Sequence, residues 1–215
     1  MDFYFSPLAC SMATRIALAE AGGAFNLIEI DPTNKKVLAT GEDYLTINPL
    51  GLVPALRTDD GEVLTENAAI LQYVADRFPS SDLAPPASDA IGRARLRQWL
   101  SFIGAELHKG LMIPLLDRKA PEEVKAWALR KYLPRLAYLN ERLSGREFLL
   151  DRFTVADAYL ATVLNWTQAT PQIDLGQYPA VKAYLDRLRA RPSVAAALGI
   201  EIPLFRAEIA RQKAA

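Results

Sequence analysis

The feature that most constrains this fold is a single break in periodicity. Before it, strand and helix signals alternate; after it, only helical periodicity remains. The break is Pro79–Ser88, a stretch with three prolines, three serines and one aspartate, which reads as a linker. The expected organisation is therefore a mixed domain over residues 1–80, a linker over 81–88 and an all-helical domain over 89–215. Charge divides at the same place. Residues 1–80 carry 11 acidic and 5 basic side chains, and residues 81–215 carry 14 and 20, so a net charge of zero conceals −6 and +6.

In the first part, Asp2–Phe5 is a short aromatic strand, followed by the turn Ser6-Pro7-Leu8-Ala9. Ser11–Ala21 is helical, with Met12, Ile16 and Ala19 on one face and Gly22-Gly23 as its stop. Phe25–Ile30 is a second strand. An irregular stretch leads to Val53–Arg57 and Glu62–Thr65, two strands joined across Asp59-Asp60-Gly61, and then to a helix over Asn67–Phe78. The order is β-α-β-(α)-β-β-α, a small mixed sheet covered by helices. In the second part, residues 90–113, 121–143, 154–169, 179–190 and 192–198 have helical periodicity. Thr154 and Asp157 have the spacing of a capping box, with Asp in place of the usual Glu.

Zero net charge excludes the broad basic field of a nucleic-acid or anionic-membrane binder. One cysteine allows no intrachain disulfide, and one histidine allows no histidine cluster, so no metal site is expected. The chain begins Met1-Asp2-Phe3-Tyr4-Phe5, without the cationic and long apolar regions of a secretion signal. No run approaches 18 apolar residues, so the expected setting is cytoplasmic, with no membrane partner.

Five places can carry chemistry. Cys10 follows a tight turn and opens a helix, where the dipole and unpaired amides favour thiolate; the alternative is a small buried hydrophobe. A cis bond at Val53-Pro54 would offer the Val53 backbone to an extended peptide, although cis is found in only about 5–6% of X–Pro bonds, and the residues alone point to trans. Glu66-Asn67 stands where a strand becomes a helix. Asn67 could cap it and the amides beyond could take a carboxylate while Glu66 takes an ammonium, or the pair is a plain cap with a solvated acid. Ser101, Ala105 and His108 share one stripe of a helix, and His108 is either a polar-site residue or a satisfied structural histidine. Lys35-Lys36 is a solvated pair, or one of its ammonium groups reaches a ligand carboxylate.

Taken in order, the Cys10 turn, NPLGLVPAL at 48–56 and DDGEVLTENAAILQYVADRFP at 59–79 resemble the N-terminal domain of glutathione transferases. FTVADAYLATVL at 153–164 resembles their C-terminal domain, so the likeness covers essentially the whole chain. Cys10-Ser11 together with Glu106-Leu107-His108-Lys109-Gly110 most closely resembles the bacterial beta class. The resemblance implies a thioredoxin-like N-terminal domain followed by an all-α bundle. It implies an enzyme that conjugates glutathione, as co-substrate, to small hydrophobic electrophiles, and a homodimer. Carried over by position, Cys10 and His108 would border the glutathione sulfur, with Ser101 and Ala105 on the same helix. Lys36 would approach the glycyl carboxylate, with Lys35 the alternative. Val53, before a cis Pro54, would pair with the cysteinyl backbone, and Glu66 and Asn67 would hold the γ-glutamyl ammonium and carboxylate. This chain departs from the pattern at Leu8, where relatives often have Gly, and at Ser101 and Ala105, where they often have Asn and Thr; Ser or Gly is usual at Asn67. Ala105 cannot donate a hydrogen bond, which leaves His108 as the main donor of that helix. A thiol–disulfide reductase using Cys10 and a non-enzymatic binding protein are the alternatives on the same scaffold.

Overall fold

In the computed structural model, which describes residues 1–214, the chain divides into two compact units. One comprises Met1–Leu83 together with the chain from Pro192 onward; the other is Ala84–Arg191.

The first unit is built on a five-stranded sheet. Its strands are β1 (Asp2–Phe5), β2 (Asn26–Asp31), β3 (Lys36–Val37), β4 (Ala55–Arg57) and β5 (Val63–Thr65), in spatial order β3-β2-β1-β4-β5. β1 and β2 run parallel, joined through α1 (Met12–Ala21); the other pairings are antiparallel. The expected helix between β2 and β4 is replaced by the two-residue β3 and a single 3₁₀ turn at Tyr44–Thr46, where Asp43 accepts from the Leu45 N–H. β1 is buried on both faces, which suits an apolar run with no polar alternation. Phe3 and Phe5 stack on one face at 6.1 Å, while Tyr4 meets Tyr44 on the other at 5.8 Å. On the Tyr4 side the core is Ile30, Val37, Tyr44, Ile47 and Ala55. α1 packs beside α2 (Asn67–Arg77), burying Ile16, Leu18, Ile70, Leu71 and Val74. Gly22, left-handed at φ +67°, ends α1 as its sequence position requires.

The last helix, α9 (Pro192–Ala214), packs on α1 and so belongs to this first unit instead of the helical one. It continues well beyond the expected 192–198, through both Gly199 and Pro203.

The second unit contains α3 (Ala90–Phe102), a π-helical stretch over Ile103–Met112, α4 (Ile113–Leu116), α5 (Glu122–Tyr132), α6 (Pro134–Leu143), α7 (Val155–Asn165) and α8 (Pro179–Arg189). Pro134, which has no N–H to continue the ladder, opens α6 and splits the helix expected over 121–143. All eleven residues of α7 are buried, in keeping with a sequence whose polar residues are confined to Asp157, Thr162 and Asn165. Its N-terminus is the capping box expected from Thr154 and Asp157. Asp157 Oδ2 accepts from the Thr154 N–H at 2.9 Å and its hydroxyl at 3.0 Å. Oδ1 accepts from the Leu149 N–H at 2.9 Å and the Tyr184 hydroxyl at 2.7 Å. Burial nonetheless pushes the Asp157 carboxyl up from its usual range.

Candidate functional site

The Cys10 turn is closed from within. The Ser11 hydroxyl donates to Ser6 O at 3.1 Å and accepts from the Ser6 N–H at 3.4 Å, while the Ala9 N–H reaches Ser6 O at 3.2 Å. Met12 N–H and Ala13 N–H bond to Ala9 O and Cys10 O, so the chain enters α1 directly after the thiol. Cys10 is half-buried at this entry, and its Sγ donates to Val53 O at 3.2 Å. The Val53–Pro54 bond is cis. Thus the two places that sequence singled out 43 residues apart meet at hydrogen-bond distance.

The loop before Val53 is held by three donors. The Tyr44 hydroxyl and Asn48 Nδ2 both donate to Leu52 O, at 2.8 and 2.7 Å, and Lys35 Nζ donates to Gly51 O at 2.9 Å. Burial pushes the Tyr44 phenol up to about 12, so it is a hydroxyl donor at neutral pH. Gly51 takes a left-handed φ of +61°, and an added Cβ would meet Leu45 and Lys35 at 3.1 Å; glycine satisfies both constraints. The two lysines thereby separate: Lys35 is half-buried and engaged with the loop, whereas Lys36 is exposed on β3.

Glu66 occupies the N-cap position of α2 at φ +66°, exposed and with no side-chain cap bond; Asn67 is instead the first helical residue. The expected Asn cap is thus displaced by one residue. Asn67 is 6% exposed, and its Oδ1 accepts from the Thr14 hydroxyl at 3.0 Å. Among the described residues no acceptor reaches Asn67 Nδ2, which leaves a buried amide donor at the helix N-terminus. Thr14 is a participant that the sequence reading missed. Its signal was an uncharged hydroxyl in a helix whose other polar residues, Arg15 and Glu20, are charged.

Ser101, Ala105 and His108 lie in the second unit, and they do not present alike. Ser101 and Ala105 are exposed, while His108 is buried. The stripe assumed α-helical periodicity, but Ala105 and His108 stand in the π-helical stretch, whose wider turns change which residues share a side. His108 Nδ1 lies 2.7 Å from the Tyr159 hydroxyl, and its ring meets that of Trp166 edge-on at 5.0 Å. Burial, helped by the nearby Lys109 ammonium, pushes its pKa down to about 4, so the imidazole is neutral at pH 7.

A thioredoxin-like sheet with a cysteine at the start of its first helix, facing the backbone before a cis proline, defines a thiol-handling protein. Sequence profiles sharpen this. Residues 9–77 match the glutathione S-transferase N-terminal domain and residues 101–192 the glutathione S-transferase C-terminal domain. The chain is 42% identical to the glutathione S-transferase GstA of Escherichia coli O157:H7 over 202 residues, covering 94% of this chain and 98% of that protein. A sphingomonad glutathione S-transferase complexed with glutathione superposes with a TM-score of 0.88 at 44% identity, over 94% of this chain and 98% of the other. The bacterial beta class glutathione S-transferase of Sphingomonas chungbukensis does so with 0.87, again at 44% identity and over the same shares. The chain belongs to the glutathione S-transferase family, and within it is most like the bacterial beta class. No helix among the described residues is long and apolar enough to cross a membrane.

Proposed function

We propose that this chain conjugates reduced glutathione to small hydrophobic electrophiles, with the tripeptide held along the Cys10–Val53 edge of the first unit. The observation that carries the reading is the 3.2 Å contact between Cys10 Sγ and Val53 O beside a cis proline. A peptide backbone paired with Val53 would bring its own cysteinyl sulfur to Cys10. The other residues fit the remaining groups of the ligand. The orphaned Asn67 Nδ2 and the N-terminal amides of α2 suit an α-carboxylate, and the exposed Glu66 beside them suits the ammonium. Lys36 is the lysine left for the glycyl carboxylate, since Lys35 is bonded to Gly51.

In the conjugation the glutathione thiol loses its proton to solvent. The thiolate then forms a C–S bond to the electrophilic carbon, and the halide of an aryl halide leaves with the bonding pair. Cys10 would act at the sulfur without an obligatory covalent step. His108, with Ala105 of the same π-helical stretch and Ser101 of α3, completes the proposed set of site residues; a neutral imidazole has one N–H donor to offer a thiolate. The working form would be a cytoplasmic homodimer. The supporting observation for self-association is the charge pattern: the first unit carries 14 acidic and 8 basic residues and the second 11 and 17.

The test uses the purified full chain with glutathione and an activated aryl chloride, following product absorbance. Turnover is expected, and Glu66→Ala should raise the glutathione Kd about tenfold, in line with losing a charge-assisted contact. Absence of both binding and turnover would refute the reading. Cys10→Ala should keep conjugation; if it loses thiol–disulfide exchange alone, that residue belongs to reductase chemistry.

A further inference from the structure

Leu8, two residues before Cys10, has φ of +56°. A side chain with a Cβ and this bulk avoids that left-handed conformation, so something must hold it there. The Leu8 N–H donates to Glu201 Oε2 at 2.7 Å, and Glu201 is a fully buried residue of α9. Its other oxygen, Oε1, accepts from Arg15 Nε at 2.6 Å. Arg15 belongs to α1, is itself 3% exposed, and sets its guanidinium over the Phe5 ring at 4.3 Å. One carboxylate therefore ties the last helix both to the first helix and to the turn that delivers the thiol. Seven residues on, on the same face of α9, Glu208 Oε2 accepts from the Ser6 hydroxyl at 3.3 Å. The Ser6–Leu8 segment is thus gripped at both ends by acids of α9. Packing alone explains neither of them, because an apolar residue would fill the site without the cost of burying a charge.

We propose that Glu201 is a positioning residue for the thiol turn: with Arg15 as its fixed counter-charge, it keeps Leu8 left-handed and so sets the path by which Cys10 meets Val53. The internal Ser6–Ser11 bonds close the turn without fixing the φ of Leu8. A relaxed Leu8 would return to negative φ and rotate its amide, carrying Ala9 and Cys10 away from the cis-proline edge. The inference rests on the reading that glutathione lies along Cys10 and Val53, but one of its readouts needs no glutathione.

The experiment compares the full-length protein with Glu201→Gln and with Glu201→Gln/Leu8→Gly. Glutamine keeps the size, but its single carbonyl cannot serve Leu8 N–H and Arg15 together. Three quantities are read: glutathione Kd by calorimetry, the pH profile of Cys10 alkylation by iodoacetamide without glutathione, and Tm. Glu201→Gln is expected to raise Kd about five- to tenfold, the affinity equivalent of the strain it releases. It should also shift the alkylation profile and lower Tm. Adding Leu8→Gly should return Kd to within about twofold of the parent and restore the alkylation profile, because glycine adopts positive φ freely. Tm should stay low, because no carboxylate remains to balance the buried Arg15 charge. An unchanged alkylation profile in Glu201→Gln overturns the proposal, as does a double variant no better than the single one. If the parent binds no glutathione, the functional reading fails while alkylation still decides the positioning role. Should Glu201→Gln not fold, hydrogen exchange of the parent decides. Leu8 N–H protected about a hundredfold or more supports the clamp, and an unprotected amide overturns it.

Discussion

His108 is the residue at which burial and chemistry make the most direct demand. Its pKa lies at about 4, against an ordinary 6.5, chiefly because the folded protein withholds water from it. The unfolded chain protonates it below pH 6.5 and the folded one does not. The stability it contributes is therefore full above pH 6.5 and is lost as pH falls towards 4, a loss on the order of 3 kcal/mol. Burial pushes Asp157, Glu201 and Glu208 the other way. Those acids take up protons more readily in the fold than in the unfolded chain, so they lessen the acid loss, and the contribution of His108 must be read by difference. His108→Phe should show a flatter fall of the urea midpoint between pH 6.5 and 4 than the parent protein. Parallel profiles would count against a neutral buried imidazole.

At the scale of elements, the entry to α7 gathers a buried polar cluster in the second unit. Four donors converge on the Asp157 carboxylate inside an apolar surround. Asp157→Ala would strand the Leu149 and Thr154 amides and the Tyr184 hydroxyl. It is expected to cost about 3 kcal/mol or more in urea unfolding, whereas loss of an exposed cap costs nearer 1. This entry was legible from Thr154 and Asp157 because capping is local: three residues of spacing determine it. The paired β4 and β5 and the apolar β1 were legible for the same reason. The thiol site was legible only in pieces, and the cis state of Val53-Pro54 was not readable from the residues themselves. What local pattern could not show was anything decided by a distant partner. β3 has two residues and exists through its pairing with β2. Lys35 and Lys36 are told apart by a carbonyl sixteen residues away. The helical periodicity ends at residue 198, yet α9 continues through Gly199 and Pro203, and beyond them Glu201 and Glu208 bond to the Leu8 and Ser6 turn. Asn67 satisfies the composition of a cap but bonds to Thr14 instead.

For the whole molecule, the division of charge survives the structural reassignment of the last helix. The first unit still nets −6 and the second +6, since the segment from Pro192 adds acids and bases in near balance. If the acidic unit of one copy meets the basic unit of another, the association rate should fall as salt rises past about 0.1 M, where the screening length shrinks to about 10 Å. Stopped-flow dilution and reassociation at several ionic strengths would measure it, and a salt-independent rate would sink the steering argument. The membership of α9 in the first unit has a further consequence, for the order in which the protein can be made. The N-terminal sheet emerges from the ribosome first, but Arg15 has no carboxylate and Leu8 no clamp until some 190 more residues have been added. The intervening helices can condense while they wait. The thiol turn, the earliest segment synthesised after β1, is thus among the last to acquire its final shape, and nascent chains halted before Glu201 should present a reactive but unpositioned cysteine.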